Sequence, residues 1–128
     1  MIVARVFDRL PDLQIVIGHM GEMVPFMLGR IEQILSPVAQ QDEGLERTIT
    51  ETFCENFWVT TSGLFTDPPF MLLLQIIGAD RILFSVDYPY ASIPQGRAFL
   101  DDLPVSPADK EKISHLNAER LLKLPTGP

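Results

Sequence analysis

Four residues stand where a parallel α/β protein would build chemistry. His19 follows the apolar run Leu13-Gln14-Ile15-Val16-Ile17-Gly18, and Asp87 follows Arg81-Ile82-Leu83-Phe84-Ser85-Val86. Both runs read as strands, so both residues fall at C-terminal strand ends, the side of such a sheet on which sites are assembled. Glu22 lies three residues after His19, and Arg30 lies on the helix that follows. His19, Glu22 and Asp87 are all residue types that ligate a divalent metal, and their placement lets them converge. Each also has a plainer reading. His19 can be a satisfied structural histidine. Asp87 can be the turn former of Asp87-Tyr88-Pro89-Tyr90, Glu22 a first-turn acid favoured by the helix dipole, and Arg30 a solvated surface cation. Cys54 reads as a small half-buried hydrophobe, His115 as a surface residue, and Met20, Met23 and Met27 as core filler.

Metal arithmetic limits what this set can do alone. A catalytic Zn²⁺ takes three protein ligands and an open position. The two histidines and one cysteine, at positions 19, 115 and 54, form no cluster. No GxGxxG, P-loop or GxSxG motif is present, which removes the common phosphate-cradle and nucleophile-elbow readings.

The elements that must position these residues follow from periodicity. Val3, Val6, Phe7 and Leu10 give a helix over 2–10, ended by Pro11; a helix whose first turn is Met1 reads as the tail of something longer. The run 13–18 is almost continuously apolar, as expected of a strand buried on both faces of a parallel sheet. A helix with Pro25 in its first turn follows, with the stripe Met27, Ile31, Ile34, Leu35 and a stop at Ser36-Pro37. Gln40 to Gly44 reads as a polar loop and 45–55 as a weaker helix. Phe57 to Thr61 is a strand by its aromatic and β-branched content. Asp67 caps a helix that carries Pro68 and Pro69 in its first turn and Gly78 just past its end. After the strand 81–86, helices are expected near 94–102 and from the Ser106 cap to about Lys123, with a break and a second cap at Asn117. If Asp87 faces inward, strand alternation takes Ser85 and Leu83 with it and turns Val86, Phe84 and Ile82 towards the helices. If His19 faces inward, Ile17 and Ile15 follow it.

Composition excludes several classes. The chain has 128 residues, of which 46% are hydrophobic and 21% charged, the balance of a globular domain. The net charge of −7, with no Lys/Arg stripe, argues against nucleic acid as a partner. The longest apolar run, Phe70 to Ala79, is interrupted by Gln75 and is too short to span a bilayer. The charged start reads as no signal peptide, and a single cysteine fits a reducing compartment, so the expected location is cytoplasmic and no membrane partner is expected.

Taken together, the residues resemble a known family. Pro11 to Glu22, followed by Pro25-Phe26 and Arg30-Ile31, is similar to the sixth strand and helix of the amidohydrolase-related metal-dependent decarboxylases. That group includes the aminocarboxymuconate-semialdehyde and dihydroxybenzoate decarboxylases. Gly78 to Tyr90 resembles the eighth strand of the same barrel, and Asn117-Ala118-Glu119-Arg120-Leu121-Leu122 its closing helix. The resemblance implies an α/β fold in which residues 1–128 form one partial domain. It would be the C-terminal half of a TIM (β/α)8 barrel, with three parallel βα units for strands 6–8. It implies Asp87 as a metal ligand, His19 as the active-site histidine and Glu22 as the group that holds and polarises it. Arg30 would bind a substrate carboxylate, in some members across a subunit boundary.

The implied activity is that of a carboxy-lyase acting on an aromatic or unsaturated carboxylic acid. Its small-molecule substrate would meet a divalent metal, Zn or Mn, in a parent enzyme that is a homo-oligomer. The family's remaining ligands, an acid/His pair on the first strand and a histidine on the fifth, have no counterpart here, so this chain alone is not expected to hold the metal. Two alternatives share the pattern: hydrolysis of a lactone or amide on the same fold, and a non-catalytic truncated domain that acts in self-association or partner binding.

Overall fold

The computed structural model describes residues 1–39 and 44–124; the loop expected from Gln40 therefore lies, except for Gly44, outside the described residues. Three short parallel strands, β1 (Ile15–Ile17), β2 (Phe57–Thr60) and β3 (Ile82–Leu83), form one sheet in chain order. Ile15, Val16 and Ile17 pair with Phe57, Trp58 and Val59, and Val59 and Thr60 pair with Ile82 and Leu83. Each strand is joined to the next through helices, as parallel neighbours require. Helix α1 (Val6–Arg9) precedes the sheet, α2 (Val24–Ala39) and α3 (Ile49–Asn56) link β1 to β2, and α4 (Asp67–Ile77) links β2 to β3; α5 (Ile93–Asp102), α6 (Pro107–Glu111) and α7 (Asn117–Leu122) follow the sheet. Among the described residues, no helix is long and apolar enough to cross a membrane.

One face of the sheet carries the core. Phe57, Val59 and Ile82 are buried against Phe7, Leu28, Phe53, Phe70, Leu73 and Ile113, with Ile15, Ile17 and Phe84 packed on the same cluster. Full burial of a residue such as Val59 or Ile82 is worth about 1.5–3 kcal/mol relative to exposure, so these helix-facing residues dominate cohesion. The opposite face is open at β1, where Val16 is 51% exposed. The expectation that β1 is buried on both faces is thereby corrected: Val16 on this edge strand stays open, whereas Trp58 and Leu83 on the same face of β2 and β3 are buried.

Several boundaries differ from the periodicity, each for a local reason. Arg5 adopts φ 55, so only Val6–Arg9 of the expected 2–10 helix is regular. Helix α2 runs through Pro37 to Ala39; a proline in the last turn removes one backbone bond where few remain to lose. The buried side of α2 is Leu28, with Val24, Ile31 and Leu35 packed on the core, whereas Met27 and Ile34 are exposed. Of the three methionines expected to fill the core, Met20 does so, while Met23 and Met27 face outward.

Helix α3 begins at Ile49, because Thr48 and Glu51 form a reciprocal capping box. Thr66, with Asp67 as the first helical residue, precedes α4. The strand expected over 81–86 is regular only at Ile82–Leu83. Beyond it, the Thr61 hydroxyl replaces the ladder by donating to the Ser85 carbonyl (2.8 Å) and accepting its N–H (3.0 Å). Asn117 caps nothing: residues 112–116 form a π-type turn that leads directly into α7, and the Asn117 amide instead binds the carbonyls of Ala79 and Ile82.

Candidate functional site

The chain leaves β1 through Gly18, which is extended at φ −76 and ψ 178, and then bends through four consecutive residues of positive φ: His19, Met20, Gly21 and Glu22. Only Gly21 adopts a positive φ without a Cβ penalty; for Met20, at φ 54 and ψ 26, the left-handed basin costs about 1–2 kcal/mol, and Glu22, at φ 54 and ψ −129, lies outside that basin. Local bonds close the turn, with the Gly21 N–H on the Gly18 carbonyl (2.8 Å) and the Glu22 N–H on the His19 carbonyl (2.9 Å). Met20, only 2% exposed, plugs the turn into the core. Asp87, at the end of the β3 extension, is left-handed too, at φ 73, and precedes a cis Tyr88–Pro89 bond. Non-glycine residues held in this region cluster at functional sites.

The two turns bring their side chains together over the strand ends. His19 Nε2 lies 3.4 Å from Asp87 Oδ2, and His19 Nδ1 lies 3.1 Å from Glu22 Oε1. The imidazole is thus flanked by a carboxylate oxygen near each ring nitrogen. The inward alternation of His19 with Ile17 and Ile15 does not occur: those isoleucines pack on the helix side, and the left-handed turn re-aims His19. For β3 the alternation runs as expected. Ile82 and Phe84 join the helix-side core, and Val86 abuts Gly96 of α5, where a Cβ would come within 2.9 Å of it. Arg30 sits exposed on α2 with its Nη1 donating to Gln33 Oε1 (2.8 Å) and makes no bond to the His19–Asp87 pair.

Four neighbouring residues complete the site and were read from sequence only as the tail of a strand or passed over. They are Thr60, Thr61, Ser62 and Gly63, and the available signal was a run of small hydroxyl residues and a glycine at a C-terminal strand end. Gly63, at φ +68, lies under the pair; a Cβ there would stand 3.2 Å from Asp87 Oδ2 and 3.5 Å from His19 Cδ2. The described residues contain no group of three or more His, Cys, Asp or Glu able to hold a metal ion. By themselves they do not fit a complete divalent-cation site.

This arrangement, with strand-end His and Asp on a parallel sheet walled by helices on one face, belongs to a recognised class. The amidohydrolase family model matches residues 1–124, and the chain belongs to that family. It is 39% identical over 119 residues to the γ-resorcylate decarboxylase of Polaromonas sp., a match covering 92% of this chain and 36% of that enzyme. A Rhizobium 2,6-dihydroxybenzoate decarboxylase structure superposes with a TM-score of 0.87 at 37% identity, covering 98% of this chain and 39% of that one. A Polaromonas dihydroxybenzoic acid decarboxylase, crystallised with manganese and the inhibitor 2-nitroresorcinol, gives 0.87 at 36% identity, covering 98% and 38%. The three-stranded sheet is therefore a partial TIM barrel, and the chain spans well under half the length of these relatives.

Proposed function

We propose that the chain supplies the C-terminal part of an amidohydrolase-family carboxy-lyase that decarboxylates an aromatic acid of the dihydroxybenzoate class. The observation that carries this reading is the His19–Asp87 contact of 3.4 Å, made by two left-handed turns at the C-terminal ends of β1 and β3. It is supported by relatives named for that reaction at close to two-fifths identity.

Loss of CO2 leaves an electron pair on the ring carbon, so the site must deliver one proton there and stabilise negative charge. In this reading, Glu22 beside Nδ1 orients the His19 ring, and a proton carried on Nε2 is presented on the side shared with Asp87. Transfer of that proton to the carbon leaves the Nε2 lone pair free, with Glu22 still beside Nδ1. Asp87 would offer one oxygen ligand to a divalent cation, Mn or Zn, which would stabilise the negative charge as a Lewis acid in the complete enzyme. Arg30, on the exposed side of α2, would meet the substrate carboxylate in a neighbouring copy, which makes the working protein a homo-oligomer. The single cysteine, Cys54, fits a cytoplasmic setting.

The test is a chimera that joins the 128-residue chain to the part of the Polaromonas enzyme it does not match. With added Mn²⁺ or Zn²⁺, it should release CO2 from γ-resorcylate. Hydrolysis of a lactone with no CO2 release from any hydroxybenzoate would refute the decarboxylase reading.

A further inference from the structure

We propose that Ser62, backed by Thr60, is a positioning residue that sets His19 in register with Asp87; its bearing on catalysis rests on the decarboxylase reading above. Ser62 Oγ accepts the backbone N–H of His19 at 3.1 Å, across 43 residues of sequence. Among the described residues, it is the one side chain from outside the 19–22 turn that bonds the backbone of that turn. The remaining backbone bonds of the turn are local and would close it equally well anywhere over the sheet edge.

The hydroxyl is built in rather than incidental. Ser62 is 7% exposed, and its Oγ lies 2.7 Å from Thr60 Oγ1, which fixes its rotamer. Gly18 makes the approach possible, since a Cβ there would sit 3.2 Å from Ser62 Oγ.

The neighbours of Ser62 show what it is measured against. Thr61 grips both backbone groups of Ser85 through its hydroxyl, and the Gly63 N–H donates to the Val86 carbonyl at 3.2 Å. Residues 61 and 63 thus hold the strand that ends in Asp87, while residue 62, between them, holds the turn that starts with His19. Three consecutive residues act as a spacer between the two halves of the site. Ser62 Oγ bonds the His19 N–H and Thr60 Oγ1, so it acts through the His19 backbone.

The hydroxyl is isolated by comparing Ser62→Thr with Ser62→Val, which add the same bulk, alongside Ser62→Ala. In the 128-residue chain, amide hydrogen exchange read by NMR should show His19 exchanging about tenfold faster in the Ala and Val variants, the loss expected of one hydrogen bond. The Gly63 amide should be unchanged and Ser62→Thr should restore His19 protection. In the chimera, Ala and Val should lower kcat by about tenfold at constant KM, and Thr should recover it. Unchanged His19 exchange in Ser62→Val overturns the positioning role. Faster exchange with an unaltered kcat overturns its part in the reaction. An inactive parent chimera with a His19 amide that responds to the hydroxyl defeats the decarboxylase reading and leaves the positioning of His19 standing.

Discussion

The two ends of the same three strands are built on opposite terms. At the N-terminal end, side-chain amides and stacked cations tie strand to strand. Gln14 Oε1, just before β1, accepts from both Trp58 Nε1 (2.8 Å), within β2, and Arg81 Nη1 (2.7 Å), just before β3. Arg81 and Arg120 lie over the Trp58 ring at 4.7 and 5.1 Å, and burial, with the nearby Arg120 charge, holds the Arg81 guanidinium below its ordinary range. Asn56 donates to the carbonyls of Pro11 and Leu13, and Asn117 does the same for Ala79 and Ile82. One asparagine thus clasps the entry to β1 and the other the entry to β3. At the C-terminal end, by contrast, the chain enters left-handed turns at residues with side chains, and charged groups stay half exposed. Amide and cation clasps on unstrained backbone mark one end, and positive-φ turns held by the Thr61 and Ser62 hydroxyls mark the other, the division expected of a barrel whose chemistry sits at the C-terminal face.

Substitutions that respect this division should separate activity from stability. The largest effect is expected from His19→Ala in the chimera: decarboxylation should fall by about 10²–10⁴-fold, the range for a lost general acid or base. The melting temperature should stay nearly level, because the His19 side chain is half exposed and alanine keeps the same Cβ at φ 51. At the other end, Asn117→Ala leaves two carbonyls without their donor and should cost about 2–3 kcal/mol. That is a fall in melting temperature of roughly 10 °C, with the activity of the folded fraction intact.

Gly63→Ala sharpens the comparison, since it adds a Cβ at φ +68 against Asp87 Oδ2. It should lower stability by about 1–2 kcal/mol and also lower turnover, the one substitution of this group to do both. A smaller loss, about 1 kcal/mol, is expected from Trp58→Phe, measured by urea unfolding and without effect on turnover.

The smallest effect lies away from both ends. Burial pushes the Glu32 carboxyl up, but hydrogen bonds from Ser36 and Thr50 outweigh it and hold the group below its ordinary value. A depressed carboxylate stabilises the fold above its unfolded pKa and loses that contribution as pH falls through the folded value. Glu32→Gln should therefore narrow the difference from wild type in urea unfolding below the ordinary carboxylate range.

The sequence made the parallel βα order and the strand-end placement of His19 and Asp87 legible, because apolar runs and turn residues mark them directly. The direction of His19 was not legible. Strand alternation assumes extended backbone, and nothing in the types His19, Met20 and Glu22 announces a left-handed conformation; Gly21 alone hints at the bend. Ser62 was hidden because a hydroxyl that ends a strand looks the same whether or not it bonds a distant backbone. Helix α2 misled for another reason. Phe26, Met27, Leu28, Ile31, Ile34 and Leu35 cover most of its circumference, so periodicity alone did not select the Leu28 side. Asn117 was read as a cap because asparagine favours caps, yet its amide reaches across the fold to Ala79 and Ile82.

The central claim is that the Asp87–His19 pair is the working part of this chain. It is tested most directly by Asp87→Asn in the chimera, a change that keeps shape and removes charge. CO2 release from γ-resorcylate should drop by at least about 100-fold while the far-ultraviolet spectrum and melting temperature stay as they were. Retention of near-parental CO2 release in that variant, with the fold intact, would contradict the account.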